Sequence, residues 1–304
     1  MESTSVTTFD FIVTSNDDTC ELDYHIMKKK KYNKSIKSVK VITYPTYQSL
    51  NDIIINDNEV DAFAISNAQY FSNVREFLLK CEIFGKSVII TVDDHAENFK
   101  EIINAIPLAD SFVKENGKFL TKNLPKISLF MGPMRAGKSY EIIRLIHQCE
   151  ILGLQITKII PSLDSRSDGE IKSRTGTSSK ALKITDLSEV SFETFTATNV
   201  FVLDEAQFLK GLKEFVIKCK NSNKTVFISG LDGDFKRNPI GEVLDCIPHC
   251  DEVVKLTALC MNELDGTPAI FSYLVNKKNV DGQVLVGDSE FLSLSRKAFL
   301  SMEN

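Results

Sequence analysis

Apolar and polar positions alternate with two different periods along the second half of the chain. Short apolar runs of strand length are separated by longer segments that repeat apolar residues at helical spacing. The strand-like runs are residues 127–131, 155–160, 200–203 and 225–229, and the helical segments are 139–152 and 209–219. Gly153 follows the first helical segment, where glycine commonly ends a helix. Because continuous apolar strands separated by helices are typical of sheets buried on both faces, the pattern predicts an α/β fold with a mainly parallel sheet.

The same pattern occurs a second time, closer to the N-terminus. The phrase AFAISNAQY at residues 62–70 has the frame of VFVLDEAQF at residues 200–208. Residues 11–26 likewise align with 129–144, and 106–114 align with 247–255. At an offset of 138 positions, residues 62–91 are identical to 200–229 at Phe63, Ala68, Gln69, Glu76, Phe77, Lys80, Cys81, Lys86, Val88 and Ile90. The chain is therefore predicted to be a tandem duplication, with cores at residues 1–116 and 127–304 and a linker at 117–126.

The first copy keeps apolar positions and loses polar ones. Asp204 and Glu205 of the second copy correspond to Ser66 and Asn67, and Lys138 corresponds to Cys20. The first copy is also shorter between these positions. We therefore expect residues 1–116 to be a degenerate, non-catalytic core.

Composition and charge exclude several classes of protein. With 304 residues, 43% hydrophobic and 25% charged, the chain has the composition of a globular protein with room for two domains. Its formal charge of −5 argues against a protein that mainly coats nucleic acid, which needs a basic face. No apolar stretch approaches the roughly 20 residues that span a bilayer, and the polar N-terminus lacks the layout of a secretion signal. We expect a cytoplasmic protein with no membrane or nucleic-acid partner.

The cysteines do not form a metal or disulfide pattern. The chain has seven of them, scattered and without a C-x-x-C pair, which fits reduced thiols in the cytosol. Cys246 and Cys250 flank His249, but they fall where a helix gives way to a strand. Core packing is therefore the expected role of this pair, rather than metal binding.

Residues 132–139, GPMRAGKS, match the phosphate-binding pattern G-x-x-x-x-G-K-[ST] in full. The motif lies between an apolar strand and a helix, as its mechanism requires. Its glycines allow backbone N–H groups to turn toward phosphates, Lys138 supplies a positive charge, and Ser139 can ligate Mg²⁺. The sequence therefore predicts a nucleotide site at this loop.

Two adjacent acids, Asp204 and Glu205, end the apolar run at 200–203. P-loop proteins keep a carboxylate for the magnesium shell at this place, and a second acid beside it can act as a base. The alternative from this stretch alone is a pair of surface acids at a strand end.

Further short motifs follow the P-loop in a fixed order. They are LDSR at 163–166, SRTGTSSKA at 173–181, VLDEAQF at 202–208, GLDGDFKRNPIG at 230–241 and VVKLTALCM at 253–261. In these motifs the chain from Ile127 onward resembles the thymidine kinases of the cytosolic, RecA-like family that carries a lasso segment, as distinct from the herpes-type kinases. The resemblance covers roughly the last 175 residues. It implies two RecA-like, P-loop-type α/β cores with mainly parallel sheets, the second followed by a lasso subdomain at about 256–304.

The resemblance also implies an activity and a set of site residues. The activity is transfer of the ATP γ-phosphoryl group to the 5′-hydroxyl of thymidine, with Mg²⁺, to give dTMP for deoxynucleoside salvage. Catalytic roles fall on Glu205 as the base, Lys138 and Arg166. Contacts to ATP phosphates and magnesium fall on Gly132, Met134, Arg135, Ala136, Gly137, Lys138, Ser139, Asp164, Asp204 and Gln207. Thymidine contacts fall on Met134, Phe208, Leu231, Phe235, Ile240, Ser272, Gly287 and Phe291. Taken without the resemblance, the apolar members of this set favour a buried cluster.

The sequence departs from the family pattern at several positions. The family usually closes its lasso subdomain with a zinc ion held by four Cys or His ligands, but here Cys260 is accompanied by Glu263, Ser295 and Ala298. Since structural zinc sites take four ligands, no structural zinc is expected. A usual lasso tyrosine is Phe291, and a usual aromatic residue after the P-loop methionine is Arg135. Both changes put thymidine affinity in question, but not the reaction class.

The family also implies partners, and two other function classes stay open. Members are typically homotetramers inhibited by dTTP, so a homodimer that forms a pseudo-tetramer is expected, with dTTP as feedback inhibitor. A nucleic-acid-dependent ATPase is an alternative, because a P-loop followed by DEAQ on a RecA-like sheet also describes helicases. A catalytically silent nucleotide-binding scaffold is the other, because the zinc ligands are lost.

Overall fold

The chain divides into two compact units, Met1–Lys114 and Glu115–Asn304. The structure is a computed structural model that describes residues 8–14, 36, 38–43, 49–93, 100–115, 126–163, 170–172, 178–275 and 290–303. No helix in these ranges is both long and apolar enough to cross a membrane.

The described part of the first unit is a five-stranded sheet, with helices between some of its strands along the chain. Its strands are β1 (Phe9–Thr14), β2 (Val39–Thr43), β3 (Ala62–Ser66), β4 (Ser87–Asp93) and β5 (Ser111–Glu115), and its helices are α1 (Val74–Ile83) and α2 (Lys100–Ala105). The strand order is β5-β1-β4-β3-β2, and all of these pairs are parallel. Short 3₁₀ turns lie at Leu50–Asp52, Ala68–Tyr70 and Ile106–Leu108.

The described part of the second unit contains a six-stranded parallel sheet and three small antiparallel pairs. Its strands are β6 (Ile127–Met131), β7 (Ile156–Pro161), β8 (Glu170–Lys172), β9 (Ser178–Lys180), β10 (Leu182–Ile184), β11 (Val200–Leu203), β12 (Thr225–Gly230), β13 (Glu252–Lys255), β14 (Ala258–Leu259), β15 (Pro268–Ala269), β16 (Phe271–Leu274) and β17 (Phe291–Leu294). Its helices are α3 (Lys138–Ile151), α4 (Phe192–Ala197), α5 (Leu212–Asn221) and α6 (Arg296–Glu303), with 3₁₀ turns at Leu187–Glu189, Ala206–Phe208 and Leu244–His249. The parallel order is β10-β7-β11-β12-β6-β13, and β8-β9, β14-β15 and β16-β17 pair antiparallel. These sheets confirm the predicted α/β class and are consistent with RecA-like cores.

The core of the second unit forms where α3 packs on the parallel sheet. Ile142, Ile146 and Cys149 lie three to four positions apart, so they share one helical face, and they are buried against Phe130 and Phe227 of the sheet. Full burial of each large apolar side chain contributes about 1.5–3 kcal/mol. This packing fixes the start of α3, and with it the P-loop, at the end of β6.

The two units have the same strand order. The series β5-β1-β4-β3-β2 corresponds, strand for strand, to β13-β6-β12-β11-β7. Left-handed backbone positions also coincide at the 138-residue offset, in the pairs Asn67 and Glu205, Asn73 and Gly211, and Gly85 and Asn223. This shared topology supports the interpretation of the chain as a duplication.

Retained residues make the same contacts in each unit. The Phe63 and Phe77 rings meet edge to face at 5.5 Å, and Phe201 and Phe215 do so at 5.0 Å. Lys86 donates to the carbonyl oxygen of Val60, as Lys224 donates to that of Thr198. The carboxylate of Asp110 accepts from the Phe9 N–H, and that of Asp251 from the Ile127 N–H. These residues therefore stabilise the fold, which explains why both units have them.

Most of the predicted ends of strands and helices in the second unit lie within one residue of the observed ends, but one helix start was wrong. The segment predicted as helical from residue 209 begins at Leu212. Gly211 has a left-handed backbone (φ 70°), and a 3₁₀ turn precedes it at Ala206–Phe208. A left-handed residue cannot continue a right-handed helix, so α5 starts after this glycine.

Candidate functional site

The P-loop joins β6 to α3 through two glycines with left-handed or unusual backbone angles. Gly132 has φ 146°, and a Cβ there would clash with the carbonyl oxygen of Leu256. Gly137 has φ 85° and is the N-cap of α3, with open space where a Cβ would stand. The first position therefore needs glycine for space and the second for its backbone. Together they direct the loop into the N-terminus of α3, where anions are favoured.

Lys138 lies against the loop that carries it. Its Nζ donates to the carbonyl oxygens of Gly132 at 3.1 Å and Pro133 at 2.8 Å, and the residue is 8% exposed. The ammonium group is thus held at the P-loop itself, where the sequence predicted a phosphate contact.

Asp204 is a buried carboxylate at the end of β11, bound by groups from three other positions. Ser139 Oγ donates to its Oδ2 at 3.1 Å, and the hydroxyl of Ser229 and the N–H of Glu205 donate to its Oδ1. Burial, and next the charge of Glu205, raise the pKa of Asp204 to about 6, although the hydrogen bonds from Ser229 and Ser139 lower it. The structure therefore brings the predicted magnesium pair, Ser139 and Asp204, into direct contact.

Glu205 is held by its neighbour Gln207. Its backbone is left-handed, with φ 50°, and its Oε2 accepts from Gln207 Nε2 at 2.7 Å. Gln207 Oε1 in turn accepts the Leu231 N–H at 3.0 Å. Gln207, predicted as an ATP contact, is thus placed between the candidate base and the loop after β12.

Gly241 allows this arrangement. Its φ is 59°, and a Cβ there would clash with the backbone carbonyl of Gln207. The loop after β12 can therefore approach the acidic loop only with glycine at this position. Its neighbour Ile240, a predicted thymidine contact, is 5% exposed.

An apolar cluster lies next to the P-loop. Phe235, Leu274 and Phe291 are buried together, with Met134 of the P-loop packed against them. Three of these four were predicted to contact thymidine. Leu274 was missed, because its only signal is an apolar position in a short strand. Phe208 and Leu231, also predicted, are half-buried outside this cluster.

The hairpin β16-β17 holds the backbone of the P-loop. The Met134 N–H donates to Ser272 Oγ at 3.0 Å, and Ser293 Oγ donates to the Met134 carbonyl at 2.8 Å. Ser272 and Ser293 are directly opposite each other in the hairpin. The Arg135 guanidinium donates to the carbonyl oxygen of Phe291 at 2.6 Å. Ser272 was predicted as a thymidine contact, and Ser293 was missed.

Other predicted site residues lie outside the described residues. They are Asp164 and Arg166, after β7, and Gly287, within the predicted lasso. Ala136, predicted at the ATP phosphates, is half-buried and packs against the cluster of the β14–β17 region.

The positions that correspond to the family's zinc ligands meet in one corner. The Ser295 N–H donates to Cys260 Sγ at 3.3 Å, and Ser295 Oγ donates to Glu263 Oε2 at 2.7 Å. The N–H of Ala298 donates to Ser295 Oγ at 3.1 Å. Within the described ranges, no three His, Cys, Asp or Glu side chains converge in a metal-binding group. Cys246 and Cys250, flanking His249, are both buried.

A buried ion pair, not predicted, lies at the same end of the sheet. Lys255 Nζ is 2.7 Å from Asp232 Oδ2, and the two side chains are 0% and 4% exposed. Lys255 ends β13, beside Met131 in the register of the sheet. Removing either partner would leave a buried charge, so we assign the pair to shaping the loops around the P-loop.

Comparisons with known proteins concern the second unit. The family model for thymidine kinase matches residues 125–299. The chain is similar to the thymidine kinases of Monkeypox virus (strain Zaire-96-I-16) and Vaccinia virus (strain Western Reserve), each 33% identical over 174 residues, which is 57% of this chain and 96% of the relative. It is also similar to the thymidine kinase of Variola virus, 38% identical over 135 residues, or 44% of this chain and 76% of the relative.

Proposed function

Because the chain belongs to the thymidine kinase family, we propose that its second unit transfers the γ-phosphoryl group of ATP to the 5′-hydroxyl of thymidine. The product would be dTMP, formed in deoxynucleoside salvage. The observation that carries the proposal is the position of Met134. This residue belongs to the P-loop and also packs in the apolar cluster with Phe235 and Phe291. Met134 is therefore part of both the phosphate-binding loop and an apolar wall that is suited to a nucleobase.

The residues present fit ATP and Mg²⁺. Ser139 Oγ and Asp204 Oδ2 lie 3.1 Å apart. Both are oxygen ligands, the type of ligand that Mg²⁺ prefers. The N-terminus of α3 and Lys138 favour the anionic phosphates. When bound, the metal neutralises charge on the phosphates during transfer. We propose that Ser139 and Asp204 hold it, and that Arg166 and Asp164 approach the transferred group.

Glu205 is the proposed base. Its carboxylate follows Asp204 directly and is oriented by the amide of Gln207. Phosphoryl transfer depends mainly on positioning and charge, so a weak base needs only to accept the 5′-hydroxyl proton late in the reaction. Gln207 remains in the first unit as Gln69, where the acid is absent. Because Gln207 binds both the Glu205 carboxylate and the Leu231 N–H, its proposed role is to hold the loop and orient Glu205.

Thymidine binding is assigned to the apolar cluster. Phe235 and Phe291 offer aromatic faces, and Met134 a flexible apolar side chain. The wall around the nucleobase would be completed by Phe208, Leu231 and Ile240. The residues of the predicted lasso that lie outside the described ranges, with Gly287, would cover it.

We further propose that the first unit is a non-catalytic core and that two chains form a pseudo-tetramer with two working sites. The proposal for the first unit is supported by the strand order that the two units share, and by Asn67 at the position of the proposed general base Glu205. We also propose that dTTP inhibits the enzyme, that the enzyme acts in the cytoplasm, and that it holds no structural zinc.

A coupled kinase assay tests the proposed activity on the purified full chain. We expect Mg²⁺-dependent ADP formation with thymidine, less with deoxyuridine, and little with deoxycytidine. ATP hydrolysis should not respond to single-stranded DNA. Hydrolysis stimulated by DNA without nucleoside turnover would identify a nucleic-acid-dependent ATPase instead. No turnover with any nucleoside, by a folded protein that binds ATP, would identify a silent scaffold.

A further inference from the structure

The side chain of Arg135 faces the hairpin of the proposed nucleoside site. Arg135 follows Met134 in the P-loop, and its backbone is left-handed, with φ 65°. Its Nη1 donates to the carbonyl oxygen of Phe291 at 2.6 Å, across 156 positions of sequence. A bond from a charged guanidinium is shorter and stronger than one between neutral groups. This contact therefore restrains the start of β17.

Phe291 is the residue that this bond restrains. Phe291 is 6% exposed and lies in the cluster with Phe235, Leu274 and Met134. Its backbone pairs with Leu274 in the hairpin, next to the bond from the Val275 N–H to the carbonyl oxygen of Glu290. The bond from Arg135 therefore anchors the backbone of Phe291 to a distant part of the fold.

The P-loop is a fixed support for this anchor. The opposed hydroxyls of Ser272 and Ser293 bind the N–H and the carbonyl of Met134. Because Met134 is held on both sides, the backbone of Arg135 is held as well. The guanidinium then transmits the position of the P-loop to Phe291.

We propose that Arg135 is a positioning residue for the nucleoside, acting through Phe291, rather than a ligand of the ATP phosphates. This inference rests on the proposed function of the second unit. In this proposal, Arg135 fixes the position of the apolar wall that contacts the nucleobase. The P-loop then contributes to both substrate sites, with Lys138 serving phosphate and Arg135 serving the nucleoside.

The test separates effects on the two substrates. Arg135→Met provides an unbranched side chain of similar length but removes the hydrogen-bond donors. Arg135→Lys keeps the positive charge but not the planar guanidinium group. We expect the Met variant to raise KM for thymidine about tenfold, the scale of a lost charge-assisted hydrogen bond, and the Lys variant to raise it less. KM for ATP should stay within about twofold in both.

Arg144→Met is the matched control. This arginine lies on α3, is half exposed and pairs with Glu141 at 2.8 Å, so its loss should change neither KM. A rise in KM for ATP in the Arg135 variants, with KM for thymidine unchanged, would overturn the inference. Wild-type protein that binds ATP but does not phosphorylate thymidine would refute the proposed function instead.

A double-mutant cycle shows whether Arg135 acts through Phe291. Phe291→Ala removes the ring that the arginine positions, so Arg135→Met should raise KM for thymidine little further in that background. Non-additivity of this kind is the signature of residues that act together. A full additional tenfold loss in the double variant would show that the arginine acts independently and would overturn the inference. All variants can be compared by thermal unfolding, which reports loss of fold separately from loss of affinity.

Discussion

Glu205 and Asn67 occupy the same backbone conformation in the two units, with φ 50° and 53°. Asparagine tolerates the left-handed region better than other non-glycine residues, whereas a longer side chain there costs about 1 kcal/mol. The first unit therefore carries a residue that suits the backbone, and the second carries a strained glutamate. Strain that persists at one copy only is explained if the acid is needed there.

The pKa of Asp204 gives a prediction about pH. A proposed magnesium ligand must be ionised, and burial raises the pKa of this acid to about 6. We therefore expect kcat/KM at subsaturating Mg²⁺ to fall as the pH drops through about 6. Because the Ser229 hydroxyl lowers this pKa, Ser229→Ala should move the acid limb to higher pH.

Ser128→Ala is the control for this shift. Ser128 is another buried strand serine, on β6, and its hydroxyl makes no hydrogen bond within the part of the chain that the structure describes. Its loss should leave the pH profile where it is. An acid limb that is unchanged by Ser229→Ala would show that Asp204 does not set it.

At the scale of elements, the sequence predicted local features well and long-range contacts poorly. The P-loop was predictable because its chemistry lies within eight consecutive residues, 132–139. The start of α5 was missed because the pattern does not reveal the left-handed Gly211. Ser293 was missed because its partner, Met134, lies 159 positions away. The docking of the hairpin β16-β17 on the P-loop decides this contact, and spacing along the chain carries no record of it.

The corner formed by Cys260, Glu263 and Ser295 predicts that hydrogen bonds, not metal, hold α6. Ser295 Oγ accepts from the Ala298 N–H as a helix cap and donates to Glu263. Ser295→Ala should therefore lower the free energy of unfolding by about 1–2 kcal/mol. Ser301→Ala, at an exposed position of the same helix, is the control and should have little effect.

Elemental analysis completes this prediction. Purified protein should hold substoichiometric zinc, and a zinc chelator should not shift its melting temperature. One tightly held zinc ion per chain, released only on unfolding, would show that Cys260 has metal-binding partners outside the described residues.

At the scale of the whole molecule, comparison of the two units separates residues that stabilise the fold from residues that are proposed to catalyse. Lys86, Asp110 and Phe63 make in the first unit the contacts that their counterparts make in the second. The positions of Lys138, Asp204 and Glu205 have lost their charges there. The sequence alone predicted this division, but the reason why Lys86 and Asp110 are retained came from their hydrogen bonds.

Removal of residues 1–122 tests the role of the first unit. Each chain would then supply one core instead of two, so we expect a changed assembly mass, aggregation or lower stability, with every proposed site residue still present. Light scattering and thymidine kinase activity are the measurements. A monodisperse, fully active fragment with the assembly behaviour of the parent would show that the first unit is a passive remnant.

The central claim is that one acid, in one of the two units, carries the reaction. The most direct measurement is kcat for thymidine in full-length Glu205→Gln and in its counterpart, Asn67→Ala. We predict a fall of at least about a hundredfold for Glu205→Gln, with thymidine still bound, because a general base contributes on that scale. Asn67→Ala should keep nearly the wild-type kcat. Equal loss of activity in both variants, or near-wild-type turnover by Glu205→Gln, would contradict the account.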